Sequence, residues 1–437
     1  MSAQLKLLSL FLLAVALAGC APGTQIGEGL TLPESPLLST FERKSGLIAY
    51  VGADGNIYTV DQSGNDPVQL TADAQLEQSQ PVHVYQFPVW SPDSESLAFH
   101  SFSGANDEFK SSVYTVGKDG KDLVEAYTSD KNRPIYLSWS PDSKHLSFIA
   151  SVGASSGIAL NMVPAAGGET TTLDVGGPYY WDWQPDSAGM FIHSGGSTRQ
   201  NPGGARLSLL TVTDGVAEDG FQLSSAPFQT PEFSADGSQV LLAVEQDNKQ
   251  KLVLTDRAGN VQSELATFDS LVAFSWSPDG KRVAYIQDAG DGKFGITHGR
   301  LHFVEVGDPT KTVAVEAENV IAFFWSPDST QVVYFVLHET TNDAGEPVFY
   351  LEMSTADPAT GEIKSLVPQF ISTREFLQTF AFFDQYARSS TLWSPDSQNI
   401  LLCIDTSEGP GIFVIPASGI TQPRFLVPGT IAFWSWK

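Results

Sequence analysis

A short phrase, Trp-Ser-Pro-Asp followed by Ser or Gly and then an apolar run, recurs along this chain and constrains its fold more than any other feature. The copies are WSPDSESLAF from Trp90, WSPDSKHLSF from Trp139, WQPDSAGMFI from Trp183, FSADGSQVLL from Phe233, WSPDGKRVAY from Trp276, WSPDSTQVVY from Trp325 and WSPDSQNILL from Trp393. Each predicts two strands joined by a tight turn, because Pro presets φ at the second turn position, Asp can hydrogen-bond its own turn backbone, and Ser or Gly closes the turn. Apolar residues sit seven and nine positions after the aromatic, as at Leu97 and Phe99, Leu146 and Phe148, or Val332 and Tyr334. That period of two belongs to β-strands. The alternate positions, eight or ten after the aromatic, are often apolar as well (Ala98, Ile149, Phe191, Leu241, Phe335, Leu401), so both faces of the second strand are expected to be covered.

Further strand-like runs follow the hairpins, among them SVYTV at 112–116, KLVLTD at 251–256 and GIFVIP at 411–416. Four antiparallel strands in each repeat of about 50 residues describe a propeller blade. The repeat resembles that of the TolB-type β-propeller family, and the resemblance covers nearly all of the chain after residue 45. Residues 47–71, LIAYVGADGNIYTVDQSGNDPVQLT, match the second to fourth strands of such a blade but lack its Trp-Ser-Pro-Asp start. The missing strand is expected from GTIAFWSWK at 429–437, which resembles the innermost strand VIAFFWS at 320–326. The expected fold is therefore all-β: an eight-bladed propeller over residues 46–437, closed by pairing the C-terminal strand with the N-terminal strands, which hides open sheet edges. A seven-bladed ring is the alternative. Phe233-Ser-Ala-Asp lacks both Trp and Pro, and Trp183-Gln-Pro-Asp lacks Ser, so those blades should be less regular.

The opening segment carries Lys6, an apolar run from Leu7 to Ala18, and Leu17-Ala18-Gly19-Cys20. This order resembles the bacterial lipoprotein box, and the run is short for a transmembrane helix. The resemblance implies that residues 1–19 are a signal peptide, that Cys20 is lipidated, and that 20–45 tether an extracytoplasmic protein to a membrane. An ordinary cleaved signal is the alternative. Cys403 is the only other cysteine, so no disulfide framework is expected. With 50 acidic residues against 24 basic ones the formal charge is −26, which argues against a nucleic-acid partner. A monomer is expected.

Signals for chemistry are sparse. Gly153-Ala-Ser155-Ser-Gly157 fits G-x-S-x-G, but it falls between blade strands rather than on a strand-turn-helix elbow. No histidine pair has H-E-x-x-H spacing. His100 and His193 share one repeat position, ten after the tryptophan, where packing or metal ligation between blades are the two readings. The loops at Asp288–Gly292 and Asn342–Glu346 do not complete a calcium pattern. No cofactor and no metal are expected. The segments that approach the inner strands gather aromatic and polar groups, and from these we expect a ligand site at the channel rim: His83, Tyr85, Arg133, Tyr136, Tyr180, Asp182, Gln229, Asp384 and Arg388. A protein, peptide or glycan would suit it. Residues 369–387, QFISTREFLQTFAFFDQYA, have a helix-like apolar pattern and could cover the channel mouth or pad the final blade. The leading expectation is a binding scaffold of the cell envelope. The alternative is a hydrolase or lyase acting on glycans or peptides, with Asp182, Glu232 or Asp384 as acid and base.

Overall fold

A computed structural model describes residues 45–77, 81–105, 108–152, 157–195, 204–213 and 215–437. The expected signal and tether, with Cys20, lie outside the described residues apart from Ser45, as does most of the G-x-S-x-G segment. Among the described residues the protein is nearly all-β, and no helix is long and apolar enough to cross a membrane.

Each hairpin grows outward into a four-stranded antiparallel blade. The Trp90 blade runs Val82–Trp90, Ser96–Ala105, Glu108–Gly117 and Val124–Ser129. The Trp139 blade repeats this with Pro134–Trp139, His145–Ser151, Ile158–Pro164 and Thr171–Gly176. The Trp183 blade has Tyr179–Trp183, Gly189–Ser194, Arg206–Thr211 and Ala217–Gly220. The blades of Trp276 and Trp325 follow the same plan, and one strand pair, Gly299 with Val320, links their sheets. Second strands are buried on both faces, as in Gln239–Gln246, where Val240 through Val244 are all enclosed. Stacked neighbours cover each face, which accounts for the unbroken apolar runs.

The two irregular places lie where the motif weakens and where the chain is diverted. In the Phe233 blade the inner strand is split into Ser224–Ser225 and Glu232–Phe233, both paired with Gln239–Gln246. In the Trp393 blade it shrinks to one bridge, Trp393 to Ile400, because the chain arrives there from the segment after Phe370.

Closure follows the expected route. One strand, Arg424–Trp434, pairs by its first half with Gly411–Val414 and by its second half with Ile48–Gly52. The junction then imitates an ordinary turn. In the repeat, the motif serine donates to the motif Asp and accepts the N–H of the residue five positions after the serine: Ser91 Oγ lies 2.6 Å from Asp93 Oδ1 and 3.0 Å from Ser96 N. Ser435 Oγ instead donates to the Lys437 carbonyl at 2.8 Å and accepts the Leu47 N–H at 2.9 Å. Gly46, with φ of +70°, lets the chain pass, since a Cβ there would stand 2.6 Å from Ser435 Oγ.

The residue that closes each turn has a second task. Ser94, Ser143, Ser187, Ser329 and Ser397 all adopt φ near +60°, with Gly237 and Gly280 at the same position in their blades. A left-handed serine costs ~1 kcal/mol or more, yet its hydroxyl accepts the N–H of the preceding blade's motif Asp. The pairs are Asp93 to Ser143 (3.2 Å), Asp142 to Ser187 (3.0 Å), Asp279 to Ser329 (3.0 Å) and Asp328 to Ser397 (3.1 Å). The indoles add a second stitch: Trp90, Trp139, Trp325 and Trp393 donate Nε1–H to the carbonyls of Phe433, Val89, Ser275 and Phe324.

Candidate functional site

An inner strand pairs on one side only, so its other edge presents N–H and C=O groups that need partners once buried. Segment 371–390 supplies them. It carries two short helices, Arg374–Leu377 and Phe383–Tyr386, and lies against the inner strands of several blades. Gln385 satisfies the edge at Trp181 in both senses: its Oε1 accepts the Trp181 N–H at 3.1 Å and its Nε2 donates to the Trp181 carbonyl at 3.0 Å. Asp384 Oδ2 accepts the Thr230 N–H at 3.0 Å, and Tyr136 Oη donates to the Gln385 carbonyl at 2.7 Å. On its other side the segment is aromatic. Phe380 stacks on Phe335 at 4.4 Å, Phe383 tilts against Phe323 at 4.8 Å, and Phe376 meets Phe335 edge-on.

Below Gln385 sits a buried charge cluster. Arg388 Nη1 is 2.9 Å from Asp182 Oδ1, and its Nη2 is 3.4 Å from Glu232 Oε2. Each carboxylate also reaches forward to the next blade: Asp182 accepts the Phe233 N–H at 2.8 Å and Glu232 the Trp276 N–H at 2.8 Å. Burial pushes Glu232 up to about 7 against the pull of Arg388, with Asp182 adding to the rise. Burial likewise lifts Asp384 to about 6 and raises Asp182. One guanidinium serves three carboxyl groups, so a proton is retained more easily here than in water.

This corrects the open rim expected from sequence. Tyr136 and Asp384 are buried, and Asp182 and Arg388 keep only 15% and 14% of their side chains exposed: they hold the inserted segment, or the blades, in place. Tyr85 is also buried, donating to Asp73 Oδ1 at 2.7 Å. The others keep some exposure. His83 lies 4.8 Å from the Tyr85 ring and 4.0 Å from Asp73, and Arg133 stands over Phe102 with its Nη2 3.2 Å from Gln86 Oε1. Tyr180 is half-buried between His193 and Phe382. Gln229 contributes its carbonyl, 2.9 Å from His193 Nδ1. Gln385 was missed as a site residue. Its only signal was the helix-like pattern of 369–387, which does not say what a helix will touch.

His100 and His193 take different surroundings despite their shared repeat position. Burial forces His100 down to about 3, and neither of its ring nitrogens has a partner. Among the described residues no three His, Cys, Asp or Glu side chains converge as a metal site. The loop at 288–292 is a turn in which Asp288 accepts from Ser270 and the Gly290 N–H.

Among solved structures the chain is similar to a prolyl endopeptidase (TM-score 0.50, 12% identity, covering 80% of this chain and 49% of that one). It is also similar to the β-propeller domain of the trilobed protease from Pyrococcus furiosus (0.48, 10%, 79% and 98%) and to TolB from Acinetobacter baumannii (0.38, 14%, 83% and 86%). It spans about half the length of the prolyl endopeptidase. No family model matches the chain, and no curated protein does. At these identities the likeness shows the fold alone, a β-propeller.

Proposed function

We propose that the chain is an extracytoplasmic scaffold, held at a membrane through lipidated Cys20, whose propeller binds a protein, peptide or glycan on the face from which segment 371–390 enters. Residues 46–437 are read as one ring of eight blades, anchored in turn at Trp90, Trp139, Trp183, Phe233, Trp276, Trp325, Trp393 and Trp434. The observation that supports binding rather than passage through the ring is Gln385: its amide takes up the inner-strand edge at Trp181, so a ligand is left with the loops around the inserted segment. Arg133, Tyr180, His83 and Gln229 retain exposure there and offer one cation, one aromatic ring and mixed hydrogen-bonding groups.

The acid–base reading of Asp182, Glu232 and Asp384 has less support. All three accept backbone N–H groups in buried contacts, where they brace the fold. A pull-down from envelope extract using the full chain, beside Arg133→Ala and Tyr180→Ala, tests the reading. Loss of a captured partner in both variants is expected, with unchanged melting temperature. Capture unaffected by either substitution would overturn rim recognition. Replacing Cys20 with Ala should move the protein from the membrane to the soluble fraction.

A further inference from the structure

We propose that Ser225 and His193 form a nucleophile and general-base pair that transfers the acyl group of a small, uncharged carboxylic ester to water. The geometry comes first. Ser225 belongs to the outlying piece of the split inner strand and is fixed by pairing with Val244. His193 projects from the second strand of the preceding blade, in register with Tyr180 and Leu207. Where these two blades meet, Ser225 Oγ lies 3.2 Å from His193 Nε2, within reach for proton transfer.

The protonation state follows from the partners. His193 Nδ1 is 2.9 Å from the Gln229 carbonyl oxygen, which can only accept, so Nδ1 carries the proton of the neutral ring. Nε2 is left as an acceptor facing the serine. The hydroxyl also lies 2.8 Å from the Ala226 carbonyl, which can hold its proton at rest. The ring cannot swing away: it stacks on Phe228 at 4.0 Å with 4° between the planes, and Phe228 stacks in turn on Phe274. A carbonyl thus orients the imidazole, as a carboxylate does in the familiar triad. The pairing is not a property of the repeat position. His100, its counterpart, faces no hydroxyl and has no partner at either nitrogen.

The class of substrate is set by what surrounds the pair. Burial, not a neighbouring charge, governs His193, and its ring neighbours are Phe228 and Tyr180, with Phe382 beyond Tyr180. An anionic or cationic acyl group would find no counter-charge among them. In the reaction Oγ bonds to the ester carbonyl carbon as His193 Nε2 takes the hydroxyl proton. Collapse breaks the bond to the alcohol, which leaves with that proton. Water then attacks the acyl carbon, its proton passing to Nε2 and on to Ser225 as the acid departs.

The test uses the full chain with a fluorophosphonate probe and with p-nitrophenyl acetate. An adduct mapped by mass spectrometry to Ser225 is expected. It should be absent in Ser225→Ala and formed about a hundredfold more slowly in His193→Asn, whose amide can still donate to Gln229 but supplies no base. Burial holds His193 down to about 4, so the labelling rate should stay level from about pH 8 to about pH 5. No adduct on Ser225, or labelling of His193→Asn at the wild-type rate, would overturn the proposal. If His193→Asn does not fold, unchanged p-nitrophenyl acetate turnover in Ser225→Ala overturns it alone.

Discussion

Blades that meet at Trp139 and blades that meet at Phe233 are joined by different chemistry. At Trp139 the indole donates to the Val89 carbonyl of the preceding blade, and Ser143 accepts the Asp93 N–H. At Phe233 there is no indole, and Gly237 has no hydroxyl. The joint is made from the other side, by Asp182 reaching forward to the Phe233 N–H, and Glu232 repeats the arrangement toward Trp276. Trp276 keeps its indole but leaves Nε1 without a partner. The first kind of joint is neutral and local. The second buries charge, and Arg388, from the inserted segment, is among the described residues the one cation that pairs with both carboxylates. A region that loses its repeat motif has thus become dependent on an insertion more than 150 residues away.

The sharpest way to break this comparison is Arg388→Met. Two buried carboxylates would lose their cation, and we expect a loss of about 3–5 kcal/mol in urea denaturation at neutral pH. Most of the deficit should recover in mildly acidic buffer, where the carboxyl groups can hold protons. An equal deficit at all pH values would mean that Arg388 acts through packing.

Next in size is a pair of indole substitutions. Trp139→Phe strands the Val89 carbonyl and opens a void, which should cost about 2–3 kcal/mol. Trp276→Phe removes a donor that has no acceptor, so it should cost about 1 kcal/mol less. Equal losses would erase the distinction between the two joints.

Glu232→Gln addresses the pH dependence directly. The folded carboxyl is raised to about 7 from an ordinary 4.5, so the folded state binds its proton more tightly than the unfolded chain does. Its contribution is fully present below about 4.5 and is lost as pH rises through about 7. Melting temperature should therefore fall across that window in the wild type, Asp384 adding in the same direction. The variant should show a shallower slope. An unchanged slope would place the titration elsewhere.

The smallest effect is expected at the turn closures. Gly280→Ser meets no atom within 4 Å of its new Cβ and would offer a hydroxyl to the preceding motif, but it pays the left-handed strain of ~1 kcal/mol. Net change should stay within about 1 kcal/mol, and Ser143→Gly should be similarly mild.

Much of the fold was legible because its determinants are close together in the chain. Pro92 and Asp93 shape a turn whatever surrounds them, and Leu97 and Phe99 declare a strand by their spacing. Even ring closure could be read, since 429–434 looks like an inner strand that the 47–71 segment lacks. The site was less legible. Tyr136, Asp182 and Arg388 were found as polar groups near the axis, but their exposure was misjudged. The reason is Gln385: nothing near it in sequence says that its amide will meet the backbone of Trp181, 204 positions away.

The sequence by itself determined the hairpins, their repetition and the strand that joins tail to head, since turn geometry and two-residue periodicity act over fewer than about ten residues. Only the tertiary structure decided what occupies the space between the inner strands, which carboxylates share Arg388, and which of two equivalent histidines meets a serine. Those outcomes depend on edges and faces that come together after the blades have packed, where burial makes each unpaired group costly and so selects its partner.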